Sequence, residues 1–263
     1  MKARTLSVAA GVSVPLILGG SASAGFVGIE TTSKPNEFSI FTVNVYAVFD
    51  RPGEDLMQAV AGTNFTPLTI EVIGGTFYQH PFGQDSPPLG ILVDAFPSLA
   101  YDTFVSIGVK CTGEPPCQPQ NNLIITAGFP GFDASVLMTT QAGWAVTPLD
   151  PAADPFNPDF FAGDGRVLIG QFSTADGTAI QGTMLLQFVS NGVIEQSAVS
   201  FKHLLAQPCQ WDMDGTTYVG IEDFLTLLAN WGTDPGGPPD FDGDGTVDIN
   251  DFLELLAHWG PCP

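Results

Sequence analysis

One pattern near the C-terminus constrains this chain more than any other. The stretch Asp212-Met213-Asp214-Gly215-Thr216-Thr217-Tyr218-Val219-Gly220-Ile221-Glu222-Asp223, continued by Phe224-Leu225-Thr226-Leu227-Leu228-Ala229-Asn230-Trp231-Gly232, returns without gaps 28 residues later as Asp240 to Gly260. An internal repeat takes precedence over other signals, because each copy is one unit that buries its apolar face only against its neighbour. Each copy is a twelve-residue polar loop followed by apolar residues at helical spacing. These are Phe224, Leu227, Leu228 and Trp231 in the first copy, and Phe252, Leu255, Leu256 and Trp259 in the second. Gly232 and Gly260 stand where a C′ glycine ends a helix. Val219 and Val247, at equivalent loop positions, are expected to pair as a short β-bridge between the loops.

The second loop has the spacing of a calcium site. Ca²⁺ takes about six to eight oxygen ligands, which an EF-hand loop supplies from positions 1, 3, 5, 7, 9 and 12 around a sharp glycine turn at position 6. Asp240, Asp242 and Asp244 fill the first three of these places. Gly245 takes the turn, Thr246 offers a backbone carbonyl, Asp248 binds directly or through water, and Asp251 closes the loop. Five carboxylates in twelve residues repel one another unless a cation sits among them. In the first loop Asp212, Asp214 and Asp223 are retained, and Tyr218 would offer its carbonyl, but Thr216, Thr217 and Gly220 replace two carboxylates and the turn glycine. A β-branched residue at positive φ costs roughly 1–2 kcal/mol. One strong Ca²⁺ site over 240–251 is therefore expected, with a weak or empty one over 212–223. The competing reading, acidic turns that merely cap two helices, leaves the full ligand spacing of the second copy unexplained.

The duplicated loop plus helix, with no helix before the loop and Asp at its last position, resembles the type I dockerin module of bacterial secreted proteins. The resemblance covers about a fifth of the chain. It implies a small all-α, calcium-folded module over 207–263 that plugs into a cohesin-like or other extracellular receptor. It further implies that the partner is read near loop positions 10 and 11, here Ile221 and Glu222 in one copy and Ile249 and Asn250 in the other, and along the helix that follows.

The N-terminus reads as a secretory signal. Lys2 and Arg4 precede an apolar run, Leu6 to Leu18, too short to span a bilayer, and Ala22-Ser23-Ala24 before Gly25 fits a small-residue cleavage site. A secreted or cell-surface protein with no transmembrane helix in its mature form is expected. The chain carries 28 acidic and 7 basic residues, and its net charge of −21 becomes −23 once Lys2 and Arg4 leave. So acidic a surface excludes nucleic acid as a partner. The four cysteines allow three disulfide connectivities. Cys111 with Cys117 closes a local loop, and Cys209 with Cys262 brackets the repeat. That pairing is favoured, and the second bond would stabilise a small core by about 2–4 kcal/mol.

The body, 25–206, reads as β throughout. In Phe41 to Phe49 the odd positions are apolar, the alternation of a half-buried strand. Short runs at Leu68–Ile73, Phe104–Val109, Leu123–Ala127, Val167–Phe172, Met184–Val189 and Val193–Phe201 are similar, separated by Gly and Pro turns. Ser190-Asn191-Gly192 is a hairpin signal, since Asn-Gly accepts the positive φ of a type I′ turn. A mainly β protein, with a β-sandwich or jelly-roll body, follows.

Catalytic signals are sparse. His80 and His203 read as packing or loop residues. Asp50, Glu71, Asp94 and Asp102 stand beside strand-like runs, but nothing brings two of them to the separation that glycoside hydrolysis requires. The loop Asp150 to Gly165 has four aspartates and reads as a proline-stiffened surface loop with room for a second Ca²⁺ or a ligand. Aromatic platforms for sugars would have to come from Trp144, Tyr46, Tyr78 or Tyr101. The expectation is a non-catalytic body held to an extracellular partner by its tail. The alternative is a polysaccharide-degrading or carbohydrate-binding component, because dockerins most often accompany glycoside hydrolases.

Overall fold

The computed structural model describes residues 25–34, 38, 40–160, 163–205, 209–214, 216 and 218–262. The expected signal segment 1–24 and Thr217 lie outside the described residues. The chain divides into two compact units, Met1–Leu205 and Ala206–Pro263, one residue from the boundary read in the sequence.

The first unit is mainly β, with antiparallel sheets. Its strands are β1 (Phe26–Lys34), β2 (Phe41–Phe49), β3 (Asp55–Ala61), β4 (Leu68–Ile73), β5 (Phe104–Val105), β6 (Ile124–Ile125), β7 (Val136–Thr139), β8 (Gly143–Ala145), β9 (Arg166–Thr174), β10 (Ala179–Ser190) and β11 (Val193–Leu204), with a short α-helix, α1 (Gly90–Ala95), and short 3-10 turns at Pro97–Tyr101 and Pro151–Ala153. One sheet has the order β1-β2-β9-β5, and the other β6-β8-β3-β10-β4-β7 with β11 also on β10. β10 is the spine of the larger sheet. One of its edges pairs with β11 from Ala179↔Leu204 to Ser190↔Val193, and the other is shared between β4, opposite Ala179–Thr183, and β3, opposite Leu185–Ser190.

Alternation explains how the sheets meet. The odd residues Val43, Val45 and Ala47 of β2 and Val167 and Ile169 of β9 enter one apolar cluster with Met57, Val60, Ile70, Ile180, Met184, Leu186 and Phe188 of the larger sheet. Full burial of each large side chain contributes about 1.5–3 kcal/mol. Trp144 is among the largest side chains completely enclosed there, and its indole N–H donates to the Ser106 carbonyl at 2.9 Å. β11 is tied to β1 through His203, whose Nδ1 and Nε2 each lie 2.9 Å from a hydroxyl, of Thr31 and of Ser33. Burial lowers the His203 pKa, so the ring is a neutral strut.

The expected Asn-Gly hairpin is present, with φ of 50° at Asn191 and 76° at Gly192. Two expected strands are shorter than read. The run Phe104–Val109 is a regular strand only over β5; beyond it the Ser106 and Gly108 amides still donate to the Ile169 (3.2 Å) and Leu168 (2.9 Å) carbonyls of β9, and the Val109 N–H turns back to the Ser106 hydroxyl at 3.1 Å. Leu123–Ala127 is reduced to β6. Strands β1, β3, β7 and β8 and helix α1 had no legible pattern. β3, Asp-Leu-Met-Gln-Ala-Val-Ala, starts on a charge, and β7 and β8 are too short to alternate.

The second unit contains β12 (Tyr218–Val219), α2 (Ile221–Ala229), α3 (Ile249–Ala257) and β13 (Gly260–Pro261). It is therefore not all-α: a two-stranded antiparallel pair joins β12 to β13. The expected bridge between Val219 and Val247 is also corrected. Val219 pairs with Gly260, after the helix of the other repeat. Val247 reciprocates: it donates to the Thr233 carbonyl at 2.9 Å and accepts from the Gly232 N–H at 2.8 Å, after the helix of the first repeat. Each loop is closed by the chain leaving its partner's helix, so neither copy completes its backbone hydrogen bonds alone.

Both disulfides have the favoured connectivity, Cys111–Cys117 and Cys209–Cys262. No helix among the described residues is long and apolar enough to cross a membrane.

Candidate functional site

The second unit concentrates the acids in the same two places as the sequence spacing. Ligand-type oxygens of Asp240, Asp242 and Asp244 lie within 4.8 Å of one another, and so do those of Asp212, Asp214 and Asp223. Among the described residues these are the only such groupings of three or more acids, histidines or cysteines. In the second loop, Asp240 Oδ1 and Oδ2 accept from the amides of Gly243 (2.9 Å) and Gly245 (3.0 Å), Asp242 accepts from Asp244 N (3.1 Å) and Asp244 accepts from Thr246 N (2.8 Å). These short bonds curl the loop around its own carboxylates. Desolvation raises the Asp244 pKa, the Thr246 amide opposes that, and repulsion from Asp242, Asp248 and Asp240 adds to it. In the first loop the Asp214 pKa is lowered, chiefly by hydrogen bonding to the Thr216 side chain.

The last aspartate of each loop does more than its place in a ligand set requires. Asp251 is fully buried; its Oδ1 accepts from Phe241 N (2.6 Å) and Asp242 N (3.3 Å), and its Oδ2 accepts from Asp248 N (2.7 Å). Asp223 repeats this, with bonds from Met213 N (2.6 Å), Asp214 N (3.2 Å) and Gly220 N (2.8 Å). Each carboxylate ties the start of its loop to the first turn of its helix, where negative charge also suits the helix dipole. Asp248 caps α3 by accepting from Asn250 N at 2.7 Å. Asp248 and Asp251 thus stand outside the three-acid group, while Asp223 belongs to one. The donor set is all oxygen, which suits a hard cation such as Ca²⁺.

Gly220, at the equivalent N-cap, has no side chain to play the part of Asp248. Its φ of −144° is open to any residue, and a Cβ there would meet only the Tyr218 ring, at 3.4 Å. Gly220→Asp is therefore expected to add a carboxylate beside the first loop, to strengthen any cation binding there, and to add a few tenths of a kcal/mol of helix stability. Isothermal titration of the wild type and the variant checks this.

The helices bury one side and leave another apolar side open. Leu227 and Leu255 are fully buried with Val219 and Val247, and the Phe224 and Phe252 rings meet across the repeat with centroids 5.3 Å apart. Leu228, Trp231, Leu256 and Trp259, read in the sequence as part of the buried stripe, are not enclosed. Together with Ile221, Leu225, Ile249 and Leu253 they are between 44% and 56% exposed, four on each repeat at equivalent positions. Glu222 and Asn250 are exposed beside them. Leu225 and Leu253 escaped the sequence reading, although their spacing four residues after Ile221 and Ile249 was available.

Among the described acids of the body, Asp85 and Asp133 line one cleft and Asp85 also acts on Asp102, while the other acids named here are engaged locally. Asp102 is completely enclosed and accepts from His80 N at 2.7 Å, and Glu71 accepts from Gln181 at 2.8 Å. In the Asp150–Gly165 loop, buried Asp150 accepts from Ala152 N (3.0 Å), Asn122 N (2.9 Å) and Asn122 Nδ2 (3.2 Å), and Asp164 pairs with Arg166. His80 serves its own turn, accepting from Phe82 N at 3.1 Å. Trp144 and Tyr46 are enclosed and unavailable for stacking.

Compared with protein-family models, curated proteins and solved structures, the chain matches none.

Proposed function

We propose that residues 207–263 are a calcium-stabilised docking module of dockerin type, by which a secreted, non-catalytic β body is held to an extracellular or cell-surface protein. The observation that carries this is the pair of equivalent apolar faces, one per repeat, mounted on helices whose first turns are tied to acidic loops. Apolar side chains left half exposed in such a set mark a surface that another protein covers. Asp240, Asp242 and Asp244, with Asp248, Asp251 and the Thr246 carbonyl completing the loop, would hold the stronger Ca²⁺; Asp212, Asp214 and Asp223 would hold the weaker. The ion would neutralise the crowded carboxylates and fix the loop from which the helix starts.

The test is capture of proteins from the source cell's secreted and envelope fractions by the immobilised chain. The wild type should retain a specific protein in Ca²⁺ and release it in chelator, and the surface variant Leu225→Glu/Leu253→Glu should retain nothing while keeping its helical circular dichroism. Equal capture by wild type and variant would rule out the helix faces as the contact. Calorimetry should show one strong calcium site; two sites of similar affinity would contradict the assignment.

Polysaccharide binding by the body is the second reading. It draws on exposed Phe82 and Phe96, whose ring centroids lie 4.6 Å apart near a cleft lined by Gln84, Asp85 and Asp133. Co-sedimentation with insoluble polysaccharides, and its loss in Phe82→Ala, decides it.

A further inference from the structure

One oxygen of a buried carboxylate in the body has no hydrogen-bond partner. Asp55, at the start of β3, is entirely enclosed. Its Oδ1 accepts the Ser190 hydroxyl at 2.6 Å and faces Arg51 Nη2 at 3.3 Å, while its Oδ2 is buried with no hydrogen-bond partner. Arg51 is a divided counterion, because its Nη1 also pairs with Glu54 at 3.4 Å and its Nη2 also donates to Ser190. Leaving a carboxylate oxygen dry and unpaired is costly enough that a native fold normally supplies a donor.

The neighbour on that side is Gly25. A Cβ added to Gly25 would fall 2.5 Å from Asp55 Oδ1, 2.7 Å from Oδ2 and 2.5 Å from Arg51 Nη2, so the carboxylate and its divided counterion together occupy the space a side chain would need, and an ammonium at Gly25 would share Asp55 with that guanidinium. With φ of +134°, Gly25 also has a backbone that other residues rarely adopt. Since a residue's nitrogen lies about 2.5 Å from its own Cβ, the Gly25 nitrogen is no farther than about 5 Å from Oδ1. Gly25 is held from its carbonyl onward: the carbonyl accepts from Asp50 N at 3.0 Å, and the next ring, Phe26, packs on Phe49 and Phe188 with centroids 5.6 and 5.1 Å away.

We propose that signal cleavage after Ala24 completes the fold by placing the new α-ammonium of Gly25 on the buried carboxylate of Asp55. The inference rests on the secretion reading of Ala22-Ser23-Ala24. Water adds across the Ala24–Gly25 peptide bond, the hydroxyl going to the Ala24 carbonyl carbon and a proton to the Gly25 nitrogen. The released amine takes a further proton from solvent, because its ordinary pKa is about 7.7–8.0. A neutral amide with one N–H becomes a cation with three, beside an acceptor that has none. Glycine also suits the place, because the Asp55 oxygens and Arg51 Nη2 stand where a side chain at 25 would have to go.

The experiment compares the full mature chain beginning at Gly25 with the same chain beginning at Ala24, each with Asp55 and with Asp55→Asn, in saturating Ca²⁺. Intact-mass analysis of the naturally secreted protein comes first and should show Gly25 as the terminus; another terminus overturns the secretion reading at this bond, and the pairing with it. Given that terminus, the chain starting at Gly25 should melt about 5 °C or more above the chain starting at Ala24 at pH 7. The difference should vanish in Asp55→Asn and should shrink above pH 9 as the ammonium deprotonates. Equal midpoints for the two Asp55 chains, or a gap that survives Asp55→Asn, overturns the pairing while leaving the processing reading intact. Should Asp55→Asn fail to fold, reactivity of the terminal amine decides instead: acylation at pH 7 should be at least tenfold slower for Gly25 than for the chain starting at Ala24, and equal rates overturn the proposal.

Discussion

Replacing Asp251 with alanine is expected to unfold the C-terminal unit while the body stays folded. The carboxylate accepts three backbone N–H groups from inside a site that excludes water. Hydrogen bonds to a charged group contribute about 1.5–3 kcal/mol each, and alanine also leaves their donors unmet, so a loss of about 5 kcal/mol or more is expected. Against that loss stands a core with four fully enclosed apolar residues, Val219, Leu227, Val247 and Leu255. Units this small have margins of about 3–5 kcal/mol even with a disulfide, and calcium at a hundredfold excess over Kd adds only about 2.7 kcal/mol. Tryptophan fluorescence reads the outcome, because Trp211, Trp231 and Trp259 lie in the tail whereas Trp144 is enclosed in the body. The variant should show a red-shifted spectrum and no response to Ca²⁺. A wild-type spectrum with undiminished calcium response would show that Asp251 is not the tie between loop and helix. Because the two repeats close each other's backbone, α2 should melt together with α3.

Asp102→Asn is expected to stabilise the body at neutral pH, against the usual direction for a buried polar substitution. Burial pushes the Asp102 carboxyl up to about 6, opposed mainly by the His80 amide, with Asp85 adding a smaller upward push. A folded pKa above the unfolded one means that ionisation disfavours the fold. The penalty is full above pH 6, fades as pH falls, and is absent below about pH 4, where the group is protonated in both states. From the size of that displacement, the variant should gain on the order of 3 kcal/mol at pH 7–8 and nothing at pH 4. For a unit of this size that is a rise in Tm of roughly 6–12 °C. His203 works the other way: its lowered pKa gives stability that is present above its unfolded pKa and lost as pH falls below it. Melting curves of wild type and Asp102→Asn across pH 4–8 separate the two. A gap independent of pH would show that Asp102 does not ionise in the folded body. The same burial removes Asp102 from the candidates for direct contact with a substrate.

Much of the local structure was legible. Phe41–Phe49 is a strand because its odd positions are apolar and enter the core. Asn191-Gly192 turns because both residues accept positive φ, and the repeat predicts two helices ending near Gly232 and Gly260. Even the disulfides followed from where the cysteines lie. In each case the information is carried by residues close together in the chain. Asp55 gave no signal, and Asp102, though named as a candidate acid, gave none of its enclosure, because burial of either depends on Gly25, Ser190 or His80 arriving from elsewhere.

The acidic tail shows where the division falls. The amino-acid sequence by itself determined that Asp240, Asp242 and Asp244 gather in one loop and that an apolar helix follows, since spacing of a few residues sets both. Only the tertiary structure decided that Asp223 and Asp251 turn to backbone amides, that Val219 meets Gly260 and Val247 meets Thr233, and that Leu228 and Trp231 remain in the open. Two short helices share a core wide enough for one face of each, so the second apolar face of every repeat has nowhere inside the unit to go.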